Sequence, residues 1–155
     1  MKKRMSGQNL WYNWFFNKNN REPDQKLPEL KPSLREFLET SDHIKVIWFG
    51  HSTLMVNLAG KIILFDPIFS GEASPLPFFV QRFQDPVLSL QEIPKIDYIV
   101  ISHDHYDHLD YQTIKHFQDE DTIFLVPLGV GSHLKGWGIR SDNIQELDWW
   151  QSFKA

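Results

Sequence analysis

The sequence predicts a mixed α/β domain, on three observations. Short runs of β-branched and aromatic residues recur between Gly, Pro and Asp punctuation, as strands require. Two intervening stretches carry the periodicity and cap signals of short helices. One apolar run, Tyr98 to Ile101, opens directly into a loop dense in histidine and aspartate. A chain of 155 residues is expected to form one domain and is long enough to bury a core. Its 41% hydrophobic content, with 12 Phe and 6 Trp, excludes a disordered chain.

Residues 1–32 read as an N-terminal arm and 33–155 as the folded body. In the arm, Met1-Lys2-Lys3-Arg4 could open a signal peptide, but Ser6 to Asn9 interrupt any apolar stretch. Neither a secretion signal nor a transmembrane helix is expected. The cluster Trp11, Tyr12, Trp14, Phe15 and Phe16 has two readings: it packs on the body, or it dips into a membrane interface beside basic residues. Residues 17–32 are polar and carry three prolines, so they form an extended linker.

In the body, Ser33 can cap a short helix to Thr40, with Glu36 three residues on and Leu34, Phe37 and Leu38 on one face. Ile44 to Phe49 is a strand stopped by Gly50. After the turn Gly50-His51-Ser52-Thr53, Leu54 to Leu58 and Ile62 to Phe65 form a hairpin closed by Ala59-Gly60-Lys61. Asp66-Pro67 ends that strand. Residues 68–95 lack a clear period yet hold many apolar side chains, which suits a lid or a cover for the sheet edge, with one helical turn at Ser89 to Glu92.

Tyr98 to Ile101 suits a strand buried on both faces. Asp110 can cap a helix from Tyr111 to Gln118, with Ile114 and Phe117 inward and His116 exposed. Thr122 to Val126 is a strand stopped by Pro127. Leu128 to Gly138 reads as a flexible glycine-rich stretch with no Walker spacing, and His133 within it is a weak ligand candidate. A short helix or turn then leads to a strand at Ile144 to Leu147.

The loop after Tyr98 to Ile101 supplies His103, Asp104, His105, Asp107 and His108. Imidazoles two residues apart in a sharp turn can reach one cation, while Asp107 and His108 aim beside it. Imidazole plus carboxylate without thiolate suits zinc or another borderline metal, and paired cations can clamp attacking and leaving oxygens. His51 and Asp66, at strand ends, are candidates for orienting substrate or the ligand loop. The chain has no cysteine, so no disulfide framework and no thiolate site exists. A net charge of −4 leaves no basic footprint for a nucleic-acid partner.

The loop His103-Asp104-His105-Tyr106-Asp107-His108 resembles the HxHxDH motif of the metallo-β-lactamase superfamily. Trp48 to Thr53, Phe65 to Ser70, Ala73-Ser74-Pro75, Ser102 to Tyr111, Val126 to Gly129 and Glu146 to Trp150 resemble, in that order, the N-acyl-phosphatidylethanolamine-hydrolysing phospholipase D family and its bacterial relatives. The resemblance implies an αββα sandwich with two zinc ions, of which this chain would form the N-terminal αβ half. It also implies that His103 and His105 hold one zinc and Asp107 and His108 the other, with catalysis by a metal-bridging hydroxide attacking a phosphodiester. A lactone substrate is the alternative within the same fold. The family's three later ligands have no counterpart here, so a non-catalytic truncated fragment is the third reading. The expected partners are a small-molecule or phospholipid substrate, together with either a second copy or a C-terminal half that completes the site. The expected location is the cytoplasm, peripheral to a membrane if the aromatic cluster meets lipid.

Overall fold

The computed structural model describes residues 23–71 and 82–154. The aromatic cluster of the arm and the middle of the long loop lie outside the described residues. Six strands form one sheet in sequence order: β1 (Lys45–Gly50), β2 (Thr53–Leu58), β3 (Lys61–Phe65), β4 (Tyr98–Val100), β5 (Ile123–Pro127) and β6 (Ile144–Leu147). β1 to β3 pair antiparallel and β3 to β6 pair parallel. The β2–β3 turn needs left-handed backbone at both Ala59 (φ 51°) and Gly60 (φ 87°), as a two-residue hairpin does.

Parallel strands need crossovers, and these carry the helices. α1 (Leu34–Leu38) precedes the sheet, α2 (Tyr111–His116) links β4 to β5, and α3 (Gly131–Gly136) links β5 to β6. Ser33 caps α1 by accepting from the Glu36 amide at 3.3 Å. Phe37 is buried as expected, but Leu38 is exposed, because the helix ends there and only one turn reaches the core. Asp110 caps α2, Ile114 and Phe117 are buried, and His116 is exposed. The stretch expected to be flexible is instead α3. The Glu146 carboxylate accepts from the amides of Gly129 and Gly131 at 2.8 and 2.9 Å, and Leu134 is fully buried. Tertiary packing here overrides a glycine-rich composition. β5 stops at Pro127, as expected, with Pro127 itself still in register with Leu147.

Among the described residues, the sheet has one sealed face and one open face. Ile47, Met55, Leu64, Ile99 and Phe124 share a register row and are buried under the helices and the long loop. On the opposite face, Val46, Val56, Ile63, Tyr98 and Ile123 form one row and Trp48, Leu54, Phe65, Val100 and Leu125 the next. Val46 and Trp48 are exposed and the inner members half-buried, with Phe153 edge-on to Tyr98 at 5.8 Å between ring centroids. β4 is therefore not buried on both faces: among the described residues, helices cover only one. An apolar sheet face this continuous is atypical of a finished surface.

Residues 23–32 run extended along the body. Gln84 accepts from the Leu27 amide and donates to its carbonyl, and Lys31 pairs with Glu92 at 2.5 Å. Lys31 and the amide and hydroxyl of Ser89 all donate to Glu92, holding its carboxyl down to about 2 from 4.5. A carboxyl lowered on folding contributes fully above the unfolded pKa, and its contribution is lost as pH falls through the folded one. The Ser89 amide shift should therefore titrate with a midpoint near 2. A midpoint near 4.5 would show that the Lys31–Glu92 tie does not persist in solution.

Candidate metal centre

Sheet topology brings the candidate residues to one edge. β1 and β3 run the same way because each is antiparallel to β2, and β4 continues parallel to β3. The carboxyl ends of all three strands therefore meet at that edge. His51 follows β1, Asp66 follows β3, and the loop Ser102 to His108 follows β4. Ligand sites in open α/β sheets form outside such strand ends.

Asp66 is the hub. It is buried and has left-handed backbone at φ 39°, a conformation an aspartate tolerates better than most residues. Its amide donates to the Val100 carbonyl at 2.9 Å, tying it to β4. Its Oδ1 accepts from the Ser102 amide at 2.7 Å, and its Oδ2 accepts from the Ser102 hydroxyl at 2.7 Å and from His108 Nδ1 at 2.8 Å. A carboxylate only accepts, so His108 donates from Nδ1 to Asp66, and its Nε2 is the nitrogen that remains for a ligand. The Ser102 hydroxyl, having donated to Asp66, accepts from His103 Nδ1 at 2.9 Å, which leaves His103 Nε2 free in the same way. The hydrogen-bond network thus engages Nδ1 of both imidazoles and fixes the orientation of the two rings.

The rings form a contiguous set. His105 lies 4.6 Å from His103, His103 lies 4.0 Å from His108, and His108 lies 5.2 Å from His51, centroid to centroid. His103, Asp107 and His108 are half-buried, and His105 and His51 are exposed. The donor atoms of His51, Asp107 and His108 fall within 4.8 Å of one another and could hold a metal ion. Among the described residues this is the three-donor group that the fold assembles, and it joins His51 to half of the sequence-derived ligand set. His116 and His133 sit on helices away from it, with His133 against Trp137.

A groove of about 660 Å³ runs to this group, and both His51 and Asp107 line it. Its walls include Leu27, Leu30, Trp48, Phe49, Ile68 and Phe83, four of which are exposed large hydrophobic side chains. Arg82, missed from sequence, underlies the groove. Its Nη2 donates to the Ile68 carbonyl at 2.7 Å and its Nη1 lies 3.5 Å from the Phe49 carbonyl, so it clamps the segments that carry Asp66 and His51. Burial pushes its guanidinium pKa down, and Asp110 and Asp85 oppose that. Asp110 also does more than cap α2: its Oδ2 accepts from the amides of Phe69 and Ser70 at 3.3 and 3.0 Å, anchoring the chain after Asp66. The sequence offered a signal for Asp110, a cap residue beside the motif. A lone arginine among apolar loop residues offered none.

The model of a beta-lactamase superfamily domain matches residues 61–155, more than half of the chain. The chain belongs to the metallo-β-lactamase superfamily. Among relatives of this superfamily member, an uncharacterised protein of Mycobacterium tuberculosis is 42% identical over 132 residues, covering 84% of this chain and 35% of the relative. The N-acyl-phosphatidylethanolamine-hydrolyzing phospholipase D 1 of Caenorhabditis elegans is 36% identical, covering 68% of this chain and 31% of that protein. The chain spans about a third of the length of these relatives. Two solved structures share the fold at a TM-score of 0.55: the diiron beta-hydroxylase CmlA of Streptomyces venezuelae, with 23% identity over 74% of this chain and 22% of that one, and an isothiocyanate hydrolase from Delia radicum gut bacteria, with 20% identity over 70% and 43%. The expected α/β class of the metallo-β-lactamase type holds, with one αβ layer pair in the described residues. No helix among them is long and apolar enough to cross a membrane.

Proposed function

We propose that this superfamily member is a metal-dependent hydrolase acting on phosphodiesters, of the N-acyl-phosphatidylethanolamine phospholipase D type. The observation that carries the reading is the sharing of His51 and Asp107 between an apolar groove and a His/Asp donor group. A substrate with a hydrocarbon part and a hydrolysable head would find both along one path. Sequence similarity to a relative so named supports the head group.

The donors suit zinc, with His103 and His105 toward one ion and Asp107 and His108 toward a second. The His51 Nε2 to Asp107 Oδ2 and His108 Nε2 to Asp107 Oδ2 separations of 3.3 and 3.9 Å are close to the edge of about 3.4 Å that metal–ligand bonds near 2.1 Å imply for a tetrahedron. Bound zinc supplies Lewis-acid polarisation and an activated water. The chain's own residues do the positioning: Asp66 and Ser102 fix the orientation of two imidazoles, and the groove walls exclude water from the hydrocarbon part. The open apolar sheet face is covered in the working enzyme by a further αβ layer, as an αββα sandwich requires.

The test pairs metal analysis with hydrolysis of bis(p-nitrophenyl) phosphate. Bound zinc is expected, with activity lowered at least about 100-fold in His105→Ala. A metal-free protein, or an unaffected His105→Ala variant, would refute the proposal.

A further inference from the structure

Residues 23–31 are exposed without exception, yet they are tied to the body. Gln84 does most of the tying. Its Oε1 accepts from the Leu27 amide at 2.8 Å, and its Nε2 donates to the Leu27 carbonyl at 3.2 Å and to Glu29 Oε2 at 2.5 Å. Lys31 adds an ion pair to Glu92 at 2.5 Å. Pro28 and Pro32 disfavour helical backbone at Leu27 and Lys31, which keeps the segment extended. Exposed polar ties of this kind contribute little to the stability of a fold. What they do here is position two leucines.

Leu27 and Leu30 line the groove that His51 and Asp107 also line. Leu30 is 91% exposed, so no packing within the fold accounts for an apolar residue there. Trp48 and Phe83, at 66% and 59% exposure, stand in the same groove. An apolar occupant would remove all four side chains from water at once, which is the driving force for filling such a trough. We propose that residues 23–32 form a specificity strap, in which Leu27 and Leu30 close over an alkyl chain of the substrate while its head group lies beside His51 and Asp107. An alkyl chain fits better than a docked polypeptide because the same groove reaches the donor group, where a hydrolysable head belongs. The inference rests on the hydrolase reading above for the head group. It assigns selectivity for the chain to a segment outside the sheet and helices.

Hexyl, octyl and decyl methyl phosphate, monoanionic phosphodiesters with one long chain each, test it by calorimetric titration of the 155-residue chain in EDTA. Affinity is expected to rise about threefold per methylene in the parent, and by less than about twofold in the Leu27→Ser, Leu30→Ser double variant. In the parent, nuclear Overhauser contacts should run from the Leu30 methyls to the bound decyl chain. Equal increments in parent and variant, or a bound chain without contacts to Leu30, overturn the strap and leave the hydrolase reading standing. Affinity that does not grow with chain length in the parent overturns the alkyl groove and the strap together, while zinc analysis still decides the metal dependence. Contacts from Leu30 to ring protons of Trp11 or Phe15 in place of the ligand would make the chain's own aromatic segment the occupant, and would overturn the strap as well.

Discussion

Replacing Asp66 with asparagine should leave a folded protein whose cobalt(II) affinity is lower by about 10–100-fold. Asparagine keeps the volume and one acceptor, so the Ser102 amide retains its partner. Its amide nitrogen cannot accept from His108 Nδ1, now 2.8 Å from Oδ2. The imidazole then favours the tautomer with the proton on Nε2, where the metal lone pair should be. Asp66→Ala should cost more in stability, about 2–3 kcal/mol, because three hydrogen bonds onto a buried carboxylate are lost together. Urea denaturation and cobalt titration separate the two effects. Wild-type affinity in Asp66→Asn would show that the network does not set the ligand geometry.

Phe124→Ala should destabilise the domain by about 3–5 kcal/mol, a large share of the 5–15 kcal/mol typical of a domain. Phe124 is fully buried on β5, between Ile99 and Ile144 in the sealed register row. Leu125→Ala, one residue on but facing the open side, should cost much less. Both are read as a shift of the urea midpoint at constant slope. Equal losses would mean that the two faces are buried alike, and that the sealed-versus-open assignment is wrong.

Much of this architecture is local and therefore legible. Ser33, Asp110 and the Ser89/Glu92 pair announce helix starts because capping needs a short polar side chain at a fixed offset. Ala59-Gly60 announces a hairpin because few residues accept positive φ. The α3 helix was hidden because its support comes from Glu146, 15 residues downstream of Gly131, and composition carries no trace of that bond. The half-open state of Tyr98 and Val100 was hidden too. An uninterrupted apolar run records that both sides of a strand are apolar, not that both are covered.

The sequence by itself determined the strand order, two of the three helices and the superfamily, and it singled out His103, His105, Asp107 and His108 as candidate donors, because spacing within one loop is local information. Only the tertiary structure decided which donors gather. Parallel registry of β3 and β4 sets Asp66 beneath Ser102 and His108, and the common direction of β1 and β3 delivers His51, 56 residues before Asp107, to the same strand ends. Such meetings depend on sheet order, and sheet order is fixed by burying one continuous apolar face, a property of the whole chain and not of any segment.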